Sequence, residues 1–217
     1  MDWKPLWQQK AAAPDFLTQT GRGNSFNLDK FLLYLQDVNA ALQLDKSDTL
    51  LDIGGASGWV TLFLSPFVNS VTMFDYSDKM IEKAEQLTYG CTNTSVFQDN
   101  ILSMKYLQGT YSKVLVGSVL QYLNNMDEVE QALRKIYNVM PYYGKCLLTH
   151  NPDISKKKSH LATASPETLE MENARLWLDF DDVHDIAMST GFKSCRKLAI
   201  NPLIWQSSHM FDFVLTK

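Results

Sequence analysis

Cysteine is scarce. The 217-residue chain has three, Cys91, Cys146 and Cys195, set far apart. Their odd number and wide spacing exclude a disulfide framework and a paired-cysteine metal site, and they fit a reducing cytoplasm. Missing too is any apolar stretch of about 20 residues, the length a membrane-spanning helix needs, so no membrane partner is expected. The opening residues, "MDWKPLWQQKAAAPDF", lack the basic segment and uninterrupted apolar segment of a secretory leader. A cytoplasmic location is the expectation. Positive charge is in deficit: a formal net charge of -4 leaves no broad basic face to follow a phosphate backbone, so no nucleic-acid partner is expected. The run Lys156, Lys157, Lys158 reads as a solvated loop. No cluster of ligand-type side chains has metal-site spacing, and no metal is expected.

What the chain does have is an alternation of two periods, long enough for one domain with a sizeable core. "DTLLDI" (48–53), "SVTMF" (70–74), "TSVFQ" (94–98), "KVLVGS" (113–118) and "GKCLLTH" (144–150) are apolar on both faces, as strands covered by helices on both sides are. "SDKMIEKAEQLTYG" opens on a capping Ser77 and closes on Gly90, with Met80, Ile81, Ala84 and Leu87 at helical spacing. "MDEVEQALRKIYNVMP" repeats the pattern with Val129, Leu133, Ile136 and Met140 and stops at Pro141. Strand-helix alternation of this kind predicts an α/β fold with a doubly wound parallel sheet. Later, "LDFDDVHDIAMSTGF" reads as a helix capped by Asp179 and ended at Gly191. The strand-like "KSCRKLAI" and "MFDFVLTK" follow it, joined by "NPLIWQSSH", and predict an antiparallel hairpin. Ahead of the core, "NLDKFLLYLQDVNAALQL" places Leu28, Phe31, Leu32, Leu35, Val38 and Leu42 on one helical face.

"LLDIGGASGWVTLFLS" (50–65) sets Gly54, Gly55 and Gly58 directly after a strand and before a helix. Glycines there let the backbone turn sharply and leave its N–H groups open to a ligand. Nicotinamide enzymes, flavoproteins, nucleotide hydrolases and plain turns all use such loops, although the Lys and Ser/Thr of a P-loop do not follow. The second strand narrows the choice, because it ends on Asp75, about 20 residues on, where a doubly wound sheet sets an acid against a ribose diol. A carboxylate accepts from both hydroxyls at once. In "VFQDN", Asp99 falls at the same edge, placed to accept from an exocyclic amine. Loop, Asp75 and Asp99 together describe a nucleoside pocket. A nicotinamide dinucleotide favours a third glycine for close helix packing, and bulky Trp59 directly after Gly58 weighs against it.

At this point the sequence resembles the class I S-adenosylmethionine-dependent methyltransferases. "LLDIGGASGWVT" is similar to their first motif, "VTMFDYSDKMIEKA" to the second strand and helix, and "VFQDNI" and "YSKVLVGSVLQYL" to the adenine-side and fourth-strand segments. The resemblance implies a seven-stranded, mostly parallel sheet with an antiparallel last strand, and S-adenosylmethionine as cofactor. Carried over by position, Asp52, Gly54, Gly55, Ala56 and Gly58 surround the methionine part, Asp75 and the adjacent Tyr76 the ribose, Asp99 and Asn100 the adenine. Ser118 lies beside the sulfonium. Two residues depart from the pattern: Ala56 replaces a common central glycine, tolerable if its φ is negative, and Lys113 stands where the fourth strand often opens with an acid. Residues 1–45 are then expected as an N-terminal helical lid and 46–217 as the cofactor-binding core.

Methyl transfer is an in-line displacement, in which a nearby His or carboxylate can take the acceptor's proton. Ligands of an open parallel sheet bind outside the carboxyl ends of its strands. His150, ending the fifth strand, and His209, in the hairpin loop, are therefore the candidate bases. Trp3, Trp7 and Arg22 of the lid and Trp205 of the loop are candidate substrate contacts, while His160 and His184 read as exposed. "HNPD" (150–153) differs from the Asn/Asp-Pro-Pro-aromatic motif of amino-methyltransferases, since it follows the wrong strand and lacks the aromatic. The expected acceptor is a hydroxyl or amine of a small metabolite, such as a sugar or sugar precursor, and the protein a monomer or homodimer. A non-catalytic cofactor-binding protein, or another nucleoside-cofactor enzyme of the same fold, is the alternative.

Overall fold

The computed structural model describes residues 2–21, 26–105 and 110–217. Three helices come first: α1 (Lys4–Ala11), α2 (Phe16–Gln19) and α3 (Leu28–Leu42). Strand and helix then alternate as β1 (Thr49–Ile53), α4 (Trp59–Leu64), β2 (Ser70–Asp75), α5 (Asp78–Thr88), β3 (Thr94–Gln98), β4 (Lys113–Gly117), α6 (Met126–Val139) and β5 (Lys145–Pro152). The last third holds α7 (Lys157–Leu161), α8 (Pro166–Ala174), α9 (Phe180–Thr190), β6 (Ser194–Leu198) and β7 (Met210–Thr216). The strands form one sheet in the order β3-β2-β1-β4-β5-β7-β6. The first five are parallel, and β7 runs antiparallel between β5 and β6. This is the predicted seven-stranded, mostly parallel sheet, with the terminal hairpin inserted as expected.

Alternation along the strands sends side chains to two cores. Leu51, Ile53, Val114, Val116, Leu148 and Phe213 meet α6 and α9 on one face. Leu50, Val71, Leu115 and Leu147 meet α3 and α4 on the other. Capping follows the sequence: Ser77 accepts from Met80 N–H at the start of α5, and Asp179 from Asp181 N–H at α9. Gly191 closes α9 at φ +111°, a conformation glycine adopts without strain.

Four readings are corrected. The face of α3 is rotated: Leu28 and Leu32 are 52% and 42% exposed, and Tyr34 is buried in their stead, because its ring reaches over the sheet edge to Thr149 (3.2 Å between hydroxyls). β3 is half exposed, Phe97 included, since it is an edge strand. The lysine run is partly helical, in a 3-10 turn and α7, with Lys156 and Lys158 exposed and Lys157 half-buried. His160, read as exposed, has a side chain only 9% accessible. Lys113, the departure at β4, donates to the carbonyl of Leu42 at 2.8 Å and pairs with Asp48 at 3.7 Å, so the acid sits on the neighbouring chain segment.

Candidate active site

β1 places Asp52 between Leu51 and Ile53, so its carboxylate points to the opposite face from theirs, where it accepts from the Thr61 hydroxyl of α4 at 2.6 Å. That bond ties strand to helix across the glycine loop. Gly54, at φ +72°, has no room for a side chain: a Cβ there stands 2.3 Å from Val119 Cγ2. Gly54 and Gly55 both donate to Phe74 O, binding the loop to β2. At the end of β2, Asp75 is buried, with Oδ1 accepting from Ser77 N–H (2.9 Å) and Oδ2 from Ala56 N–H (3.1 Å). Burial raises its pKa to about 6, against the pull of those two amides. Each oxygen keeps a lone pair for another donor.

Ala56 takes φ +50°, contrary to the negative φ expected. Ser118 (φ +60°) and His150 (φ +56°) share this left-handed conformation, so three strained backbone positions gather at one sheet edge. Relief of an L-residue's left-handed strain, about 1–2 kcal/mol, outweighs the backbone entropy glycine adds, about 0.5–1 kcal/mol. Ala56→Gly should accordingly raise stability by about 0.5–1 kcal/mol. Thermal unfolding of the variant checks this, and an unchanged or lower Tm contradicts it.

These residues enclose a cavity of about 230 Å³ at the carboxyl ends of β1, β2 and β4. Asp52, Gly54, Gly55, Ala56, Asp75 and Tyr76 line it on one side; Asp99, Asn100 and Ser118 line it on another. Trp3, directly before α1, and Trp7 within it form part of its wall and meet Tyr122 edge-on, at 4.9 and 5.5 Å between ring centroids. Four aspartates line it, Asp2, Asp52, Asp75 and Asp99, and among the described residues no Lys, Arg or His does. Such a wall repels a pyrophosphate and suits a cationic ligand rich in hydroxyl and amine donors.

Other predicted residues lie elsewhere. Gly58 (φ +85°) allows α4 to approach α5, where an added Cβ would stand 3.0 Å from Ala84 Cβ, and it does not line the cavity. His150, expected to end the fifth strand, instead lies within β5 at its break in register between Leu148 and Asn151, buried and stacked on Tyr34 at 5.2 Å; Tyr34 in turn lines the cavity. His209 is buried against His160, the rings 4.0 Å apart and nearly parallel. Desolvation, with help from His160 and Arg175, lowers its pKa to about 3. Trp205 is 48% exposed and packs on His209, away from the cavity. Arg22 lies outside the described residues. In "HNPD", Asn151 bonds to the carbonyls of Leu148 and Phe211, and Asp153 caps the turn that follows.

Sequence reasoning missed Tyr34 and Tyr122: each lies inside a stretch read for its helix or strand pattern, and nothing local marks either ring as a cavity residue. It missed also the group formed by His160, Glu172 and Arg175, drawn from α7 and from α8 and its end.

Residues 50–144, the stretch that builds this loop and its acids, match the family model described as "Methyltransferase domain". This stretch, residues 50–144, is a methyltransferase domain. The solved N-methyltransferase NodS from Bradyrhizobium japonicum WM9, in complex with S-adenosyl-L-homocysteine, superposes with TM-score 0.70 at 15% identity, covering 100% of this chain and 99% of that one. Phosphoethanolamine N-methyltransferase 1 of Haemonchus contortus, bound to phosphoethanolamine and S-adenosylhomocysteine, gives TM-score 0.77 at 15% identity, over 99% of this chain and 48% of that one. Identities this low show a shared fold. A curated relative, ribosomal RNA small subunit methyltransferase A of Natranaerobius thermophilus, is 25% identical over 121 residues, 56% of this chain and 39% of that protein's length. The acid-lined cavity of the methyltransferase domain fits S-adenosylmethionine, which is cationic at sulfur and carries a ribose diol and an exocyclic amine. No helix among the described residues is long and apolar enough to cross a membrane.

Proposed function

We propose that the protein transfers a methyl group from S-adenosylmethionine to a hydroxyl or amine of a small metabolite, a sugar or sugar precursor among the candidates. The observation that carries this is a cavity lined by four aspartates, with Trp3, Trp7 and Tyr122 forming an aromatic wall. Under this reading Asp75 holds the ribose, Asp99 and Asn100 the adenine, and the backbone around Gly54 to Ala56 the methionine part. Bound cofactor supplies an electrophilic methyl group on sulfur, beside Ser118. The protein's own task is to orient the acceptor and exclude water, which is worth roughly 7–11 kcal/mol of barrier when geometry is good.

Within residues 1–45, α1 is the part placed to act as a lid, whereas α3 packs on the sheet as part of the core. Trp3 and Trp7 close over the cavity, and α1 is tied to α5 by Lys4 and Gln8, both bound to Asp78 at 3.1 Å. His150 acts through Tyr34, as a positioning residue. His150→Ala should lower turnover about tenfold, the loss of one ordinary hydrogen bond or packing contact in the transition state. Cofactor affinity should stay within twofold of wild type. Unchanged turnover removes His150 from the mechanism. His209 is a poor base, because burial opposes its protonated form. The net charge of -4 supports a small-molecule acceptor over RNA, and free cysteines suit a reducing compartment such as the cytoplasm.

The test pairs calorimetric titration of S-adenosylmethionine with transfer of labelled methyl groups into fractionated metabolite and RNA pools. Cofactor binding with label in small molecules supports the proposal. Label in RNA alone overturns it, and cofactor binding with no label anywhere favours the non-catalytic alternative.

A further inference from the structure

Of the residues of α3, Tyr34 alone lines the cavity. Its neighbours on the buried face of the helix, Phe31, Leu35 and Val38, pack into the apolar core with strand residues of the sheet, which fixes α3 over β4 and β5. Tyr34 brings a hydroxyl into that apolar setting. The hydroxyl lies 3.2 Å from Thr149 Oγ1 of β5. Thr149 pairs in register with Gly117 at the carboxyl end of β4, and its carbonyl accepts from the N–H of Ser118 at 3.0 Å. One residue therefore holds two cavity groups, Ser118 by its backbone and Tyr34 by its side chain.

Gly117 also lines the cavity, and it shows what stands between. A Cβ added there would meet the Tyr34 hydroxyl at 3.9 Å and, apart from its chain neighbours, no other heavy atom of the described residues within 4 Å. The hydroxyl thus looks across open space to the end of β4. Its ring is held from behind by His150, which stacks on it at 5.2 Å with the two planes 28° apart. His150 is itself pinned to β7, its N–H donating to Asp212 Oδ1 at 2.6 Å. A phenolic hydroxyl has one donor and two acceptor sites, and the bond to Thr149 occupies a single one of them.

We propose that the Tyr34 hydroxyl contacts the methyl acceptor, its oxygen accepting a hydrogen bond from the O–H or N–H that is to be methylated. This rests on the proposed methyltransferase reading and narrows the acceptor to a hydroxyl or a primary or secondary amine, since a tertiary amine has no hydrogen to give. Tyr34 donates its own hydrogen to Thr149 Oγ1 and stays neutral. Holding the acceptor's hydrogen turns the lone pair of the same atom toward the methyl group beside Ser118. In the transfer that lone pair forms the bond to the methyl carbon, while the sulfur–methyl electron pair returns to sulfur and leaves a neutral thioether. The methylated atom, now cationic, releases its hydrogen-bonded proton to water, and Tyr34 is unchanged.

Tyr34→Phe, Thr149→Val and Thr149→Ser are compared with wild type in three measurements. These are calorimetric binding of S-adenosylhomocysteine, transfer of labelled methyl from S-adenosylmethionine into a small-metabolite extract over a range of extract concentrations, and retention of metabolites from that extract by the protein, read by mass spectrometry. Tyr34→Phe should lower transfer at saturating extract about tenfold or more and reduce retention, with S-adenosylhomocysteine affinity kept within about twofold. Thr149→Val should lower transfer about threefold, and Thr149→Ser, which keeps the hydroxyl, should restore it. Transfer by Tyr34→Phe close to that of wild type overturns the contact. So does a loss of transfer matched by an equal loss of S-adenosylhomocysteine affinity, which marks a structural role, and so does label found only in quaternary ammonium products. If Tyr34→Phe fails to fold, equal transfer by Thr149→Val and Thr149→Ser overturns it. A wild type that binds no S-adenosylhomocysteine overturns the methyltransferase reading instead. Retention by the protein alone then still decides the contact: retention lost in Tyr34→Phe supports it, and equal retention, none included, overturns it.

Discussion

Asp75→Ala should lower affinity for S-adenosylmethionine by about a hundredfold or more. Two charge-assisted hydrogen bonds to the ribose, each about 1.5–3 kcal/mol, set that scale. The same carboxylate also accepts from Ala56 and Ser77 N–H, so the substitution strands two amides and loosens the loop. Calorimetry measures the effect, and a loss of less than tenfold would remove Asp75 from the cofactor site. Its raised pKa, about 6, adds a pH signature. Without cofactor, stability from this group is fully present below the ordinary carboxylate pKa of about 4 and is lost as pH rises through about 6. Cofactor binding needs the ionised acceptor and therefore runs the other way: affinity should fall as pH drops through 6. The thermal shift produced by S-adenosylmethionine should grow between pH 5 and 7 in wild type and stay flat in Asp75→Ala.

Gly54→Ala should lower stability by about 2–4 kcal/mol: about 1–2 from the left-handed backbone and about 1–2 from overlap with Val119. In a chain of this size that is a fall in Tm of roughly 5–15 °C. Cofactor affinity should fall at least about tenfold, because a displaced Val119 enters the cavity it now lines. Placing the substitution in a Val119→Ala background should recover the overlap part and leave the backbone part. A Tm within 1 °C of wild type for Gly54→Ala would show that this loop does not need its glycine.

The strands and crossover helices were legible because each is decided by short-range physics. Ser77 caps α5 through its own hydroxyl, and Asp179 does the same for α9. Asp75 and Asp99 could be placed because a parallel sheet puts every strand's carboxyl end on one edge. The rotation of α3 was not legible. Leu28, Leu32 and Tyr34 satisfy helical periodicity on neighbouring faces, and Tyr34 is chosen by the Thr149 hydroxyl, 115 residues away. His150 illustrates the same limit. Its place towards the carboxyl edge of the sheet follows from β5, but only the fold sets Tyr34 between it and the cavity.

By itself, then, the sequence determined the α/β alternation, the glycine loop and its acids, because turn conformation, strand period and strand polarity are local properties. Tertiary structure alone decided that Trp3, Trp7 and Tyr122 share one wall. It also brought His160 and Arg175 onto the same Glu172 carboxylate oxygen, and gave Gly58 to helix packing. Those outcomes depend on which helices cross the sheet edge and how closely, and no residue's neighbours in the chain carry that information.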